Sequence, residues 1–143
     1  MIEVIINSPA CDESIEFLDS ICEKTLMQAG FEDWRSISFA VHEIIINGIE
    51  ATKQKYNENS SDKVITLKIY AKEDEVEIHV EDEGDGMDKG RLDKVNEMDF
   101  EDVLGDERGR GLLMVKHFVD KIWCEIGAKH SVKIQKRRGR NNE

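Results

Sequence analysis

The stretch KVITLKIYAKEDEVEIHVEDEGDG, residues 63–86, decides the fold class because its apolar residues recur at every second position. Residues 64–71 and 76–80 alternate on either side of the polar KEDE segment, and this pattern predicts an antiparallel hairpin. The β-branched run ends at Val80, and five carboxylates follow within residues 81–88 among two glycines. The sequence therefore predicts a strand that runs directly into an acidic glycine loop.

Helical and strand patterns on both sides of the hairpin complete the predicted order of elements. Residues 2–8 read as a first strand, and Ser8 with Pro9 predicts the N-cap and first position of a helix that ends near Gly30. The remaining predicted elements are a second helix at about 33–55, a third at 111–120 and closing strands at 121–127 and 131–136. This order predicts an α+β fold, a two-layer sandwich whose mixed or antiparallel sheet carries its helices on one face.

Length, charge and cysteine content restrict the class of protein. The 143 residues fit one domain, 1–143, and the net charge of −11 argues against nonspecific nucleic-acid binding by its body. The N-terminus has no signal-peptide pattern and no apolar run could span a bilayer, so we expect a cytoplasmic protein. Three cysteines without CxxC spacing predict free thiols. The basic end of the chain, residues 136–143, is expected to be a frayed, solvated tail.

Asp82 continues the core-facing row of the second hairpin strand. Parity places Val80 and Asp82 on the same side, so this carboxylate points inward where the strand ends. An inward carboxylate needs a donor, and an adenine amino group in an apolar pocket is one candidate. Gly84 and Gly86 would let the main chain pass close to a flat base. Acidic glycine loops also form ordinary turns or bind calcium, although the calcium-loop pattern is not met here.

A polar stripe runs along the second predicted helix. At about 100° per residue, Glu43, Asn47 and Glu50 share one side of this helix, with apolar residues on both flanks. Burial of a carboxylate without a partner is costly, so we expect the stripe to face a ligand or a metal ion. An exposed strip between two buried patches is the alternative interpretation.

A third motif opens the last predicted helix in ERGRGLLMVKHF. Gly109 and Gly111 stand at its start, and Arg108 and Arg110 flank the first glycine. Free main-chain N–H groups at a helix start, together with two guanidinium groups, are typical of a phosphate site. The glycines could instead form an ordinary turn.

Taken in order, the three motifs resemble those of a known superfamily. E-x-x-x-N in HEIIINGIEA, D-x-G-x-G in EDEGDGMD and G-x-G-L in GRGLL are similar to the motifs of the GHKL ATP-binding domains, which have the Bergerat fold. The resemblance covers nearly the whole chain. Within the superfamily, the chain most resembles the bacterial anti-sigma-factor serine/threonine kinases of partner-switching pathways.

The resemblance implies a role for each motif. Asp82 would bind the adenine amino group, Asn47 would hold Mg²⁺ and Glu43 would be the catalytic base for transfer from ATP. The other residues of the nucleotide site would be Glu50, Gly84, Gly86, Met87, Arg108, Gly109, Arg110, Gly111 and Leu112, with residues 88–108 as the ATP lid. Two positions depart from the family pattern, because Gly48 replaces the usual alanine and Ala51 stands where many of these kinases have a histidine.

The implied function is that of an ATP-dependent regulator. It would sequester a sigma factor or similar client and phosphorylate a small STAS-type anti-anti-sigma protein, as a homodimer and without direct contact with nucleic acid or membrane. Glu43 favours a hydroxyl acceptor, which must lose its proton, over the imidazole acceptor of a histidine-kinase-like domain. Such a domain would also normally follow a dimerisation helix pair, and we expect none before the first strand. A nucleotide-gated anti-sigma binding module without phosphoryl transfer is the other alternative.

Overall fold

The computed structural model describes residues 1–85 and 107–139. For residues 107–110 it describes the main chain alone. Its sheet has five strands in the described part of the chain, in the order β1-β2-β3-β5-β4, and every neighbouring pair is antiparallel. The strands are β1 (Ile2–Pro9), β2 (Val64–Ala71), β3 (Glu75–Asp82), β4 (Lys121–Ile126) and β5 (His130–Arg137). The predicted hairpin is therefore β2–β3, and the predicted α+β class is confirmed with a purely antiparallel sheet.

Three α-helices in the described residues form the second layer: α1 (Glu13–Gln28), α2 (Trp34–Tyr56) and α3 (Glu107–Phe118). A short 3-10 helix, Asn57–Asp62, follows α2. Helix α2 contacts both other helices as well as β2 and β3, so it lies at the centre of the helical layer. The core lies between this layer and the sheet, and its fully buried side chains include Leu18, Ile44, Leu67 and Ile78.

The expected start of the first helix is wrong. Strand β1 extends through Pro9, which lies opposite Val64, and α1 begins only at Glu13. The Ser8 hydroxyl donates to Ser14 Oγ at 2.7 Å, and the Ser14 hydroxyl donates to the Pro9 carbonyl at 2.6 Å. A proline is tolerated at this point because β1 is an edge strand, where a missing N–H can face solvent.

The prediction of a frayed basic tail is also wrong for its first part. Lys136 and Arg137 belong to β5, and the Arg138 guanidinium donates to the carbonyls of Glu73 and Gly30 at 2.7 and 2.8 Å. Residues 140–143 lie outside the described residues, as does the expected lid at 88–108 except for its last two positions, which belong to α3.

Three further findings concern the residues that the structure describes. No described helix has the length and apolarity needed to cross a bilayer. All three cysteines are free, as predicted, and Cys22 is buried. Among the described residues, no group of three or more His, Cys, Asp or Glu side chains could hold a metal ion.

Candidate functional site

Successive turns of α2 bring the three predicted motifs together. Its residue Glu43 lies against Gly111 of α3, and its residue Gly48 lies against Asp82 at the end of β3. One turn further along, the α2 main chain lies against Gly84 in the loop after β3. Positions far apart in the chain thus line one side of a single helix.

Asp82 is buried at the end of β3, with 2% of its surface exposed. Its Oδ1 atom is buried and has no hydrogen-bond partner among the described residues. Burial raises the pKa of this carboxyl to about 6, although the charge of His130 and a hydrogen bond to the Gly84 main chain act in the opposite direction. A buried acceptor without a donor is costly in a folded protein, so Asp82 is the place where a ligand could donate a hydrogen bond.

The remaining described carboxylates of the acidic loop are all engaged by the protein. The partners are Lys68 for Glu81 at 2.8 Å, the Val64 main-chain N–H for Glu83 at 2.6 Å and Lys55 for Asp85 at 3.1 Å. Glu83 therefore secures the start of β2, and Asp85 forms an exposed ion pair with α2. Only Asp82, among these four, keeps a buried acceptor atom without a partner.

Gly84 lies in direct contact with the main chain of α2. A Cβ atom built on Gly84 would lie 2.6 Å from the carbonyl carbon and oxygen of Ala51 and 2.7 Å from the amide nitrogen of Thr52. No side chain can occupy that space unless the helix or the loop moves. The first glycine of the motif is thus required by packing of the loop on the helix, in addition to any contact with a ligand.

Gly48 has a comparable reason to depart from the family pattern. A Cβ atom on Gly48 would lie 2.8 Å from Ile65 Cδ1 and 3.5 Å from Asp82 Cβ. The Ile65 side chain occupies the space that an alanine methyl group would need. Gly48 thus packs between Ile65 and the buried Asp82.

Glu43 lies across the interface of α2 and α3. A Cβ atom on Gly111 would lie 2.5 Å from Glu43 Oε2, so the carboxylate reaches the α-carbon of this glycine. Asn47 follows one turn later on α2 and is half-buried, whereas Glu50 is exposed. The predicted stripe is thus intermediate in burial at Glu43 and Asn47 and reaches solvent at Glu50.

The other predicted residues are placed less completely. Helix α3 begins at Glu107, so Arg108, Gly109 and Arg110 lie inside its first turn. The sequence pattern had placed the start of this helix at residue 111, after these three residues. The free N–H groups of this helix belong to its first turn, because later ones bond within the helix. Leu112 is 1% exposed and belongs to the hydrophobic core, which leaves only its main chain for a ligand. Gly86 and Met87 lie outside the described residues.

Sequence reasoning missed His130, the first residue of β5. It lies opposite Asp82 in the β3–β5 pairing, and its Nδ1 atom is 3.2 Å from the Gly84 carbonyl oxygen. No motif contains this histidine. Only the register of β5 against β3 could have identified His130. The alternation of apolar residues within each strand does not specify this register.

Comparison with known proteins identifies the family. Residues 13–136 match the family described as the histidine kinase-like ATPase domain, so the chain belongs to that family. This confirms the predicted resemblance to GHKL domains, and an ATPase domain implies ATP binding. No curated protein matches the chain.

Among solved structures, the chain is similar to "the RsbU and RsbW domains of Rv1364c from Mycobacterium tuberculosis". The TM-score is 0.67 at 16% sequence identity, and the match covers 98% of this chain and 33% of that one. This chain therefore spans about a third of the length of that structure. At such an identity the likeness shows a shared fold.

The described residues fit a bound adenine nucleotide. Asp82 supplies a buried acceptor without a partner, and Gly84 keeps the neighbouring loop close to α2. Glu43 and the Gly111 that it contacts lie on the other side of Gly48 along α2, where the phosphates would lie if the base were at Asp82.

Proposed function

We propose that this chain is an ATP-dependent protein kinase that phosphorylates serine or threonine. The observation that carries the proposal is the contact of Glu43 with Gly111, because it places the candidate base beside the residue that follows the first turn of α3. A carboxylate next to a helix start that can hold phosphates is suited to deprotonate a hydroxyl as it attacks a phosphoryl group.

The proposed chemistry assigns one task to each motif. Asp82 accepts a hydrogen bond from the adenine amino group, and main-chain N–H groups of the first turn of α3 bind phosphate oxygens. Bound Mg-ATP supplies the γ-phosphoryl group, with the Asn47 side chain as a metal ligand. Glu43 takes the proton of the substrate hydroxyl. At the same time the hydroxyl oxygen forms a bond to the γ-phosphorus, and the bond from this phosphorus to the ADP oxygen breaks. One protein ligand for magnesium is reasonable because phosphates and water supply most of its ligands.

A hydroxyl acceptor agrees better with Glu43 than a histidine acceptor does. A hydroxyl loses a proton when it attacks phosphorus, so a base near the γ-phosphate lowers the barrier, whereas a neutral imidazole attacks through a nitrogen lone pair. The family name includes histidine kinases, and the identity of this residue supports the serine/threonine assignment within the family.

The proposed partners follow from the resemblance to anti-sigma-factor kinases. We infer that the protein sequesters a sigma factor or an analogous client and phosphorylates a small STAS-type antagonist of that complex. We further infer a homodimer in the cytoplasm that has no direct contact with nucleic acid. The net charge of −11 supports protein partners over a polyanion.

The test is transfer from ATP labelled on the γ-phosphate into an extract of the source cells. Three proteins are compared: the wild type, Glu43→Gln and Glu58→Gln, the last being an exposed carboxylate on the 3-10 helix as a matched control. We expect the wild type and the control to label one small acidic protein on serine or threonine. Glu43→Gln should label it at least about 100-fold more slowly while it still binds ATP.

Other outcomes would reject particular parts of the proposal. Equal labelling by Glu43→Gln would remove Glu43 from the role of base. An acid-labile phosphohistidine would favour a histidine-kinase-like domain. Binding of ATP without any labelled protein would exclude transfer and favour a nucleotide-gated binding module.

A further inference from the structure

We propose that His130 is a positioning residue of the adenine pocket. Its ring holds the Gly84 carbonyl and lies opposite Asp82, so nucleotide affinity depends on this side chain. The inference rests on the proposed assignment of Asp82 to the adenine amino group. It adds a residue that belongs to none of the three motifs and lies 48 positions beyond Asp82 in the chain.

The strand pairing places His130 beside Asp82. The two residues are Cα partners in the antiparallel β3–β5 ladder, and side chains directly opposite in such a ladder project from the same face of the sheet. Asp82 is on the face that α2 covers, because Gly48 lies against it. The imidazole is therefore on the side of the sheet where the nucleotide would bind, and it is half-buried there.

A hydrogen bond connects His130 to the glycine loop. Its Nδ1 atom is 3.2 Å from the Gly84 carbonyl oxygen, so Nδ1 carries the proton and donates. The α-carbon of Gly84 lies against the main chain of Ala51. The loop is thus held between a helix and a histidine, and Asp82 is two residues before the held point. Loss of this hydrogen bond would free the Gly84 peptide to rotate and would loosen the pocket beside it.

The charge of the ring acts on Asp82 as well. Among the groups that face this carboxylate, His130 on β5 and Lys55 on α2 favour its ionised form, and Asp85 disfavours it. Lys55 and Asp85 form an ion pair at 3.1 Å and offset one another, with the Asp85 side chain 82% exposed. His130 is then the basic side chain that the fold places next to Asp82. When the ring is protonated it favours an ionised Asp82, which is a stronger acceptor for the adenine amino group.

Two neutral replacements separate the hydrogen bond from the charge. The amide nitrogen of asparagine reproduces the position of Nδ1, whereas that of glutamine reproduces Nε2. At pH 8 in EDTA, above the Asp82 pKa of about 6, we expect His130→Asn to bind ADP within about twofold of the wild type. His130→Gln and His130→Ala should bind ADP roughly fivefold or more weakly, because the Gly84 carbonyl loses its donor.

The pH profile tests the charge. All three variants lack the imidazolium, so the midpoint at which ADP affinity is lost on acidification should move upward by about half a pH unit or more relative to the wild type. The comparison with wild type cancels the titration of the ADP phosphates. A residue that only stabilised the fold would change affinity without moving this midpoint, and melting temperatures identify any variant that fails to fold.

The result distinguishes this inference from the proposed function. If the wild type binds ADP and all variants match it at every pH, the role of His130 is rejected while the nucleotide site stands. If His130→Asn binds ADP as weakly as His130→Gln does, and the pH midpoint of ADP binding does not move, His130 has only a structural role. If the wild type does not bind ADP, the assignment of Asp82 to adenine fails and this inference fails with it. Should His130→Ala not fold, the asparagine and glutamine variants decide the question.

Discussion

Asp82 shows how a single residue can oppose stability and serve binding. The fold buries its carboxyl, leaves Oδ1 without a donor and raises the pKa from 3.8 to about 6. Above that pH the side chain is ionised in surroundings that disfavour the charge, which costs folding free energy. Such a cost is typical of functional positions, where a ligand and not the protein supplies the missing hydrogen bond.

The first prediction concerns nucleotide affinity of Asp82→Asn. The amide has almost the same shape but offers a weaker acceptor to the adenine amino group, so ATP and ADP should lose affinity alike, by roughly 10-fold or more. Isothermal titration with both nucleotides measures the loss. Unchanged ADP affinity would remove Asp82 from the adenine site.

The same variant should be more stable than the wild type at neutral pH. Folded Asp82 binds its proton more tightly than the unfolded chain does, so its contribution to stability declines as pH rises from 3.8 to about 6. At pH 8 the free energy of unfolding of Asp82→Asn should therefore exceed that of the wild type by about 2 kcal/mol, and the gain should shrink towards pH 4. Urea denaturation at the two pH values measures this, and destabilisation at pH 8 would contradict it.

Asn47 provides a test that depends on metal. If its side chain acts through Mg²⁺, Asn47→Ala should weaken ATP binding about 10-fold with magnesium present and hardly at all in EDTA. Equal weakening in both conditions would indicate that Asn47 contacts the nucleotide directly or supports the fold.

At the scale of elements, α2 decides the geometry of the site. Its contacts with Gly111, Asp82 and Gly84 bring together one residue from α3, one from β3 and one from the loop after β3. The strong helical pattern at about 33–55 predicted this helix well, and the alternation at 64–80 predicted the hairpin. The start of α1 was mispredicted because Ser-Pro also suits the end of an edge strand, and local preference alone does not separate the two.

Two glycines that face α2 or lie on it should respond differently to alanine. In Gly84→Ala the new methyl group would meet the rigid main chain of Ala51 at 2.6 Å, and we expect a loss of about 2 kcal/mol in stability. In Gly48→Ala it would meet the flexible end of Ile65 at 2.8 Å, while helix propensity improves by about 1 kcal/mol. Its net change should stay below about 1 kcal/mol. Thermal melting of the pair tests this, and an equal loss in both would contradict it.

At the scale of the whole molecule, Arg138 connects the end of β5 to distant elements. Its guanidinium donates to the carbonyls of Glu73, Gly30 and Ala29 at 2.7, 2.8 and 2.9 Å and lies 4.0 Å from the centre of the Phe31 ring. The chain after α1 and the turn between β2 and β3 are thereby joined to the last strand. The basic composition of this segment suggested a solvated tail. Composition indicates how well a segment is hydrated, but it does not show which carbonyl groups the fold brings within hydrogen-bonding distance of a side chain.

We expect Arg138→Ala to destabilise the protein by about 2 kcal/mol, because three carbonyls lose charged donors and the stacking on Phe31 is lost. Arg138→Lys should restore only a small part, since one ammonium group cannot reproduce the planar fork. Urea denaturation measures both. The control is Arg137→Ala, where the main-chain N–H and not the side chain donates to Asp120. A loss no larger than that of the control would show that Arg138 has no such role.

The sequence by itself determined the elements and the chemistry of the motifs. Periods of two and of 3.6 residues record which face of a segment is buried, so they identified the hairpin, α2 and the inward direction of Asp82. The ordered motifs with Glu43, Asn47 and the glycines indicated the family that the comparison then confirmed. These signals are local, because each depends on residues within one element.

Only the tertiary structure decided which distant residues meet. The contact of Glu43 with Gly111, the pairing of Asp82 with His130 and the donation from Arg138 to Gly30 each join positions more than 45 residues apart. Such contacts depend on strand register and on helix packing, which result from the lowest free energy of the whole chain and leave no periodic trace in any one segment.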